Sequence, residues 1–269
     1  GKSQNWFVVG SSLFAASVSS STLMGHSGEG FISGIAVFNY NVGAIFVIIF
    51  VSLFFLPFYI KSGIYTIPEY LGRRFDNRSR KYFSFITIIG NVFLDAGAAL
   101  YTGALILKII FPEIDMMWII IGMALMAGTY TIIGGLSSAI NADMIQSIIL
   151  IAGSVLLSIF CFNSVGGWEN FVEHFHDGVW LNLIRPNSDT TVPWFSIFLS
   201  IPILGFYFWG NNQVIVQRVM SAKTVNEGRL GFLFVAFLYV FTLFIFIAPG
   251  MVGRMIDLFG VGDTLPNEI

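Results

Sequence analysis

Seven stretches of the chain are each long and apolar enough to cross a lipid bilayer as a helix. Such a crossing takes about 20 mostly apolar residues. We label the predicted spans A to G, at residues 6–25, 31–60, 82–111, 117–134, 144–163, 193–216 and 229–259. Because unpaired backbone groups cannot face lipid, spans of this kind are helices rather than open strands. The sequence therefore predicts an all-α polytopic protein whose main solvent is a lipid bilayer.

The composition agrees with a bilayer environment and excludes several classes of partner. Charged residues make up 10% of the chain, against about 25% in soluble domains. The net charge of -2, with no basic patch, predicts no nucleic-acid partner. The single cysteine, Cys161, excludes an internal disulfide framework and a cysteine-based metal cluster. Nothing in the sequence sets the oligomeric state.

Basic residues are concentrated in alternate loops. Ten of the thirteen Lys and Arg residues precede span A or lie in the B–C and F–G connections: Lys2, Lys61, Arg73, Arg74, Arg78, Arg80, Lys81, Arg218, Lys223 and Arg229. Cytoplasmic loops of membrane proteins carry such an excess. We therefore expect a multi-pass protein of the cell (plasma) membrane, with the N-terminus and the loops 61–81 and 217–229 in the cytoplasm.

Two short amphipathic stretches lie between the spans. Thr66 can cap a helix that starts at Pro68 and has Glu69 in its first turn. The second stretch, 167–178, contains His174 and His176, whose i, i+2 spacing directs them to different helix faces. A solvated segment is therefore favoured over a pair of metal ligands.

Span A has an unusual centre. Five hydroxyl residues lie between positions 17 and 22, and Gly25 follows. Serine and threonine can bond back to helix carbonyls, which fits a continuous helix packed against its neighbours. They also fit a discontinuous helix whose freed carbonyls bind a cation near the bilayer midplane. The sequence leaves both interpretations open.

Span C carries Asp95 near its middle. A carboxylate at the centre of a bilayer costs about 2.5–3.5 kcal/mol on insertion scales, so it must face a polar cavity or a partner. Regular helical spacing puts Asn91, Asp95, Ala98 and Thr102 on one face. Asp95 is then either a group of a binding site or a structural carboxylate bonded to the hydroxyls of span A.

Spans F and B add polar groups of their own. In span F, Gly205 and Gly210 bracket an aromatic cluster that is followed by three amides, which favours a broken or kinked helix. Span B holds Asn39, Tyr40 and Asn41 within an apolar run. Four spans thus turn polar groups into the protein interior, which indicates a pathway for a solute.

Four collinear motifs resemble the sodium/solute symporter family, in the form typical of its sodium/glucose cotransporter branch. They are WFVVGSSLFAASVS at 6–19, YTIPEYLGRRF at 65–75, the segment from Gly134 through Asp143 to Gln146, and NQVIVQRVMSAK at 212–223. Because the resemblance covers nearly the whole chain in one order, it is more specific than any single motif.

The resemblance implies the inverted-repeat fold first seen in bacterial leucine transporters. Residues 1–163 would form the first five-helix repeat, 164–192 an extracellular or periplasmic loop, and 193–269 the first two helices of the second repeat. The chain begins without Met and stops within a polar stretch at 262–266. We therefore expect truncation at both ends, with a preceding helix and at least three core helices missing.

The resemblance also implies an ion site. The backbone carbonyls of Ala15 and Val18 would bind a sodium ion, in a site that this chain alone leaves incomplete. We further expect Asp143, at the mouth of span E, to lie on the ion release path. The alternative for Asp143 is a carboxylate stabilised by the helix dipole.

For the solute, the same resemblance implies binding by Thr22, Asn41, Phe208 and Tyr239, to which the positions of Tyr40 and Asp95 within their spans add a hydroxyl and a carboxylate. Phe208 can stack on a ring, and the hydroxyl and amide groups can bond a solute hydroxyl. A sugar or polyol is accordingly the first expectation for the substrate.

Three classes of function compete for this sequence. A symporter would use sodium entry, worth about 2.3 kcal/mol per charge per 100 mV, to accumulate a small-molecule solute. A transporter-like membrane sensor module is the alternative. A membrane enzyme is not expected, because no metal cluster, nucleophile–base pair or phosphate-binding loop is visible in the sequence.

Overall fold

The computed structural model describes residues 3–64, 66–176 and 178–259. Lys2, Tyr65, Asp177 and the stretch 262–266, which carry parts of the predictions above, lie outside these residues. The described residues form fourteen α-helices: α1 (Trp6–Ser17), α2 (Ser20–Ser33), α3 (Phe38–Phe50), α4 (Leu56–Ser62), α5 (Ile67–Arg74), α6 (Asn77–Ile89), α7 (Gly97–Ile110), α8 (Met116–Ser164), α9 (Gly167–Phe175), α10 (Trp194–Phe198), α11 (Ser200–Gly205), α12 (Gln213–Val219), α13 (Val225–Val240) and α14 (Ala248–Phe259).

Short irregular helical segments connect several of these helices. Two 3₁₀ turns lie at Gly34–Val37 and Val179–Leu181. Four π-helical segments lie at Val51–Phe55, Gly90–Ala96, Phe206–Asn211 and Leu243–Ile247. Because π-helical turns are rare and are frequently found at functional sites, the four among the described residues point to functional regions.

Span A is a discontinuous helix. Helix α1 ends at Ser17, Val18 is extended with φ -116° and ψ 96°, and α2 starts at Ser20. The Ser17 hydroxyl donates to the Phe14 carbonyl at 2.7 Å, and Ser19 Oγ accepts from the Thr22 N–H at 3.3 Å. The hydroxyl residues therefore cap the two halves instead of supporting one continuous helix, which decides between the two interpretations of this span.

The other predicted spans keep their order but differ in their limits. Residues 20–62 and 116–164 each run on as one helical stretch, of 43 and 49 residues. At 1.5 Å per residue these measure about 65 and about 74 Å, roughly twice the 30 Å hydrocarbon core. Among the described residues, four helices qualify as spans by length and apolarity, or five with the pair Val225–Val240 and Leu243–Asp257, which meet at 46°. Seven crossings thus stay a prediction.

Glycines mark where the two long stretches bend. Gly34 has φ 70° and ψ -149°, and Gly135 has φ 59° and ψ -157°. Side chains with a Cβ are strained in this conformation, so glycine is required. Between the predicted spans D and E, the residues other than Gly135 are helical, so the bend is confined to one glycine.

Span F is interrupted as predicted. Helices α10 and α11 lead into the π-helical segment Phe206–Asn211, Asn212 is extended with φ -67° and ψ 124°, and α12 follows. The Asn212 side chain caps α12 by accepting from the Val214 N–H at 2.8 Å. Spans A and F therefore share one design, a helix broken at an extended residue beside a capping side chain.

The two amphipathic stretches are helical. Thr66 Oγ1 accepts from the Glu69 N–H at 3.2 Å at the start of α5, which confirms the predicted cap. The stretch at 167–178 contains α9. Within the described part of the chain, no group of three or more His, Cys, Asp or Glu side chains could hold a metal ion, so His174 and His176 belong to no such cluster.

The connection between α9 and α10 is fastened to the bundle. Arg185 donates to the Ser33 carbonyl at 2.6 Å, and the Asn39 side chain donates to the Leu183 carbonyl at 2.6 Å. Backbone N–H bonds, first from Thr191, and the charge of Arg185 hold the pKa of Asp189 below its usual range. A loop that buries an arginine in this way is part of the folded structure rather than a loose linker.

Helices α1 and α13 cross at close range. A Cβ built on Gly10 would lie 2.7 Å from Cδ1 of Phe234 and 2.9 Å from the Gly231 carbonyl oxygen. Small residues let membrane helices approach closely, and packing rather than water exclusion then holds them together. Around this crossing, Leu13 and Phe232 are almost fully buried.

We expect Gly10→Ala to lower the thermal midpoint of the detergent-solubilised protein, because its methyl group has to displace the α13 backbone. The matched control is Gly153→Ala on α8, where a Cβ meets no atom within 4 Å. Since alanine favours helix over glycine by about 1 kcal/mol, the control should hold or raise the midpoint. Equal midpoints for the two variants would contradict the close crossing.

Candidate functional site

A cavity of about 320 Å³ lies between the two broken helices. Three parts of the chain line it: residues 16–22 at the break in span A, residues 94–98 of span C, and residues 207–215 at the break in span F. The lining residues are Ala16, Ser17, Ser19, Ser21, Thr22, Leu94, Asp95, Ala98, Tyr207, Phe208, Asn212, Val214 and Ile215. The volume is within the range of small-ligand sites, about 300–1,000 Å³.

Hydroxyl groups form one wall of this cavity. Ser19 Oγ lies 2.7 Å from Ser21 Oγ and 3.1 Å from Thr22 Oγ1. Ser20 points away from the cavity lining, donates to the Ala99 carbonyl at 2.7 Å and lies 2.9 Å from Thr102 Oγ1. Ser20 thus fixes α2 against α7, while its neighbours present hydroxyls to the cavity.

The break in span A leaves backbone carbonyls without helical partners. Among the described residues, the only backbone hydrogen bonds between α1 and the residues after it at the break come from the Val18 N–H, to Phe14 and Ala15. The bond to Ala15 is 3.2 Å long. Of the two predicted sodium ligands, Ala15 is therefore partly engaged, and the Val18 carbonyl receives no such bond. Carbonyl oxygens of this kind are suitable ligands for a hard cation.

Asp95 faces the cavity from the π-helical segment Gly90–Ala96. Across the described part of the chain it makes no hydrogen bond or ion pair, so the structural bond to span A hydroxyls is not observed. The four residues predicted to share one face of span C do not all face the cavity. Asp95 and Ala98 line the cavity, whereas Thr102 bonds to Ser20 and Asn91 is not in the lining. The wider π turn changes the angular spacing that a regular helix would give.

Span F supplies the aromatic wall. Tyr207 and Phe208 line the cavity, and Asn212 adds an amide. Trp209 is 1% exposed and packs against Phe232 and Tyr239, with ring centroids 6.3 and 5.4 Å away. The π-helical segment therefore directs Phe208 to the cavity and Trp209 into the protein core.

Three of the predicted solute ligands lie outside the lining. Tyr239 is buried behind it, with its hydroxyl close to Ser17. Asn41 is buried and bonds through Oδ1 to His26 Nε2 at 3.1 Å, while its Nδ2 has no partner among the described residues. Tyr40 is 39% exposed, and no contact brings it to the cavity.

Sequence reasoning missed His26. It lies one turn beyond Thr22 on α2 and is part-buried, with its ring edge-on to Phe246 at 6.4 Å. The i, i+4 spacing from Thr22 was a signal for it. Thr22, His26 and Asn41 consequently make a polar path from the cavity toward α3.

A second polar cluster joins three helices. Asp143 of α8 accepts from the Ser12 hydroxyl of α1 at 2.7 Å and from Nε of Arg218 of α12 at 2.8 Å. Both charged side chains are 12% exposed. Sequence analysis placed Asp143 but not its partners, although Arg218 follows an apolar run within the fourth motif. Three elements therefore depend on one buried ion pair.

Another cavity, of about 680 Å³, is larger but unsuited to a polar solute. It lies against Phe14, Ile151, Trp168 and Phe244, and apolar atoms make up nearly all of its surface. Sites for small molecules combine apolar walls with a few convergent polar groups. The smaller cavity between the helix breaks meets this condition, and it is the candidate site.

Sequence comparison agrees with this geometry. Residues 1–263 match the Sodium:solute symporter family. The chain belongs to this family.

Individual relatives are sodium/glucose cotransporters. The chain is 31% identical to Sodium/glucose cotransporter 1 of Oryctolagus cuniculus over 290 residues, covering 100% of the chain and 44% of that protein. It is 33% identical to the Sodium/glucose cotransporter of Vibrio parahaemolyticus over 265 residues, covering 95% of the chain and 49% of that protein. The chain thus spans less than half the length of these two relatives.

A solved structure has the same fold. The substrate-bound, outward-open form of a Na⁺-coupled sialic acid symporter superposes with a TM-score of 0.86 at 25% identity, over 100% of this chain and 57% of the other. The symporter fold predicted from the motifs is confirmed, and the chain is a multi-pass membrane protein of a transporter family.

We expect Asp143→Asn to slow transport turnover by the full-length protein while solute affinity stays nearly unchanged. The substitution leaves Arg218 buried without its counter-charge, which is costly, but it lies outside the cavity lining. Uptake rates at saturating solute and half-saturation concentrations would separate the two effects.

The control is Glu69→Gln, which alters a pair with Arg73; the two side chains are 21% and 53% exposed. Exposed pairs contribute about 0–1 kcal/mol, so turnover should be unchanged. A large loss of solute affinity at normal turnover in Asp143→Asn would contradict the expectation that Asp143 affects turnover rather than solute recognition.

Proposed function

We propose that this chain forms the cavity of a sodium-coupled symporter that moves a small organic solute by alternating access, with a sugar or polyol as the first substrates to test. One observation carries the proposal: two discontinuous helices, broken at Val18 and at Asn212, enclose a polar cavity. Interrupted helices in corresponding positions of two repeats mark the binding site in transporters of this architecture.

Sodium, the transported coupling ion, fits the oxygen groups at the first break. Among the described residues, the Val18 carbonyl at the break accepts no backbone hydrogen bond. The Ala15 carbonyl accepts one, of 3.2 Å, from the Val18 N–H. We propose that both bind sodium and that other parts of the protein complete the site. Asp143, buried on the neighbouring helix, then lies on the release path.

For the solute, we propose direct contacts with Thr22, Phe208 and Asp95, all of which line the cavity. Tyr239 and Asn41 lie behind the cavity lining and support residues in front of them. Tyr239 supports Ser17, and Asn41 bonds to His26, which lies one turn from Thr22. Tyr40 takes part only in a conformation that moves α3 toward the cavity.

The same pair of breaks supports a proposed repeat organisation. We propose that residues 1–163 form one repeat and that 193–269 begin a second, joined by the loop 164–192. The basic loops 61–81 and 217–229 are assigned to the cytoplasmic side by the positive-inside rule. Transport by positioning and charge needs no chemical step, so the protein is not proposed to be an enzyme.

Uptake by the full-length protein should require sodium, and lithium should replace it poorly. The reason is that a partly rigid oxygen site formed by backbone carbonyls selects ions by size. The measurement is uptake into proteoliposomes in sodium, lithium or potassium buffer with the membrane potential clamped. Equal uptake in sodium and potassium would rule out sodium coupling.

Phe208→Ala should weaken apparent solute affinity about tenfold, and Phe208→Tyr should restore most of it. Loss of a ring–ring contact removes about 0.5–1.5 kcal/mol beyond the buried area, and the lost area adds to this. The control is Phe198→Ala, because Phe198 is a 73% exposed aromatic of the same span outside the cavity lining.

A thiol-labelling experiment checks the geometry independently of affinity. In a Cys161→Ser background, cysteine at position 208 should react with a water-soluble reagent and be protected by solute. If the reagent never reaches this position, Phe208 faces lipid and the assigned cavity is wrong.

A further inference from the structure

The candidate cavity has an unbalanced charge. Asp95 contributes its single carboxylate, and none of the described residues that line it is Lys, Arg or His. The remaining polar groups are the hydroxyls of span A and Tyr207 and the Asn212 amide, none of which carries a formal charge. Asp95 is exposed toward this cavity and lies near the middle of predicted span C, where a carboxylate without a partner is unfavourable, so a cation is the expected counter-charge when the site is filled.

The aromatic wall adds to this preference. Tyr207 and Phe208 come from one π-helical segment, and Asp95 comes from another, so each irregular turn directs a chemically different group into one cavity. Aromatic faces attract cations, and the combination of aromatic rings with a carboxylate is typical of sites for ammonium groups.

The size of the cavity decides which cation fits. A bare metal ion needs oxygen ligands in close contact on all sides, whereas a space of about 320 Å³ accommodates a small organic molecule. Hydroxyls from Ser21 and Thr22 lie on the wall that faces this space. The cation at Asp95 is therefore one end of a solute whose other groups bond to hydroxyls.

We propose that the transported solute carries a protonated or quaternary ammonium group that pairs with Asp95, next to hydroxyl groups that bond to Ser21, Thr22 and Asn212. This inference rests on the proposed function and narrows its substrate class: amino sugars, amino polyols and related amino alcohols bind in preference to their neutral counterparts.

The test uses purified full-length protein in sodium buffer. For each ligand, it measures the concentration that produces a half-maximal rise in the thermal midpoint of the protein. Three pairs differ in the ammonium group: glucosamine and glucose, 2-amino-1,3-propanediol and glycerol, and choline and its neutral carbon analogue 3,3-dimethylbutanol. In at least one pair, the ammonium member should act at a concentration at least about tenfold lower, because only this member brings a charge opposite to that of Asp95.

Substitutions at Asp95 test whether this residue causes the preference for the ammonium compounds. Asp95→Asn should abolish the difference within the pair, and Asp95→Glu, which keeps the charge, should retain it. The matched control is Asp115→Asn: Asp115 caps α8 through the Met117 N–H, outside the cavity lining, and asparagine can cap in the same way. Midpoints without ligand show whether each variant is folded.

The inference is overturned if no ammonium compound stabilises the wild-type protein, if the neutral members act equally well, or if the preference survives in Asp95→Asn. Its failure differs from failure of the proposed function. Sodium-dependent uptake of a neutral sugar that is unaffected by Asp95→Asn would refute only the ammonium preference, whereas sodium-independent uptake would refute the symport mechanism itself.

Discussion

Backbone N–H and C=O groups cannot stay unpaired in hydrocarbon, and the other features of this structure follow from that constraint. A continuous helix satisfies it everywhere, so each interruption needs a local replacement. At Val18, the Ser17 and Ser19 side chains supply that replacement, and at Asn212 the amide does so. The carbonyls at the breaks that accept no backbone hydrogen bond stay unpaired unless an ion or a solute takes the place of the missing donors.

Glycines and π-helical segments solve different parts of this problem. Gly34 and Gly135 bend long helical stretches where a Cβ would be strained. The π-helical segments keep the backbone bonded but rotate the side chains that follow them. In this way Asp95 and Phe208 reach the same cavity while Trp209 stays in the core. The positions of these irregular turns therefore determine which side chains form the site.

Local chemistry made some features predictable. Thr66 indicated the start of α5, and the clustered hydroxyls of span A offered the break as one of two interpretations. Features that depend on contacts across the chain could not be predicted: the Arg218–Asp143 pair links residues 75 positions apart. The bonding of Asn41 to His26 and the different orientations of the four residues predicted to share one face of span C were missed for related reasons. One depends on how α2 meets α3, and the other on a π turn that no periodicity reveals.

Helix α1 connects the two polar clusters physically. Ser12 bonds to Asp143, and six residues later Val18 opens the break beside the cavity, which is about 9 Å along the helix axis. The α1 crossing with α13 at Gly10 is too tight for independent sliding of either helix. In the proposed transport cycle, ion binding at Val18 therefore affects α1, the same helix that contributes Ser12 to the cluster with Asp143 and Arg218. Because α1 is broken at Val18 and bonded through Ser12 to the Asp143–Arg218 pair, the proposed ion at the break and this charge pair would act on the same helix.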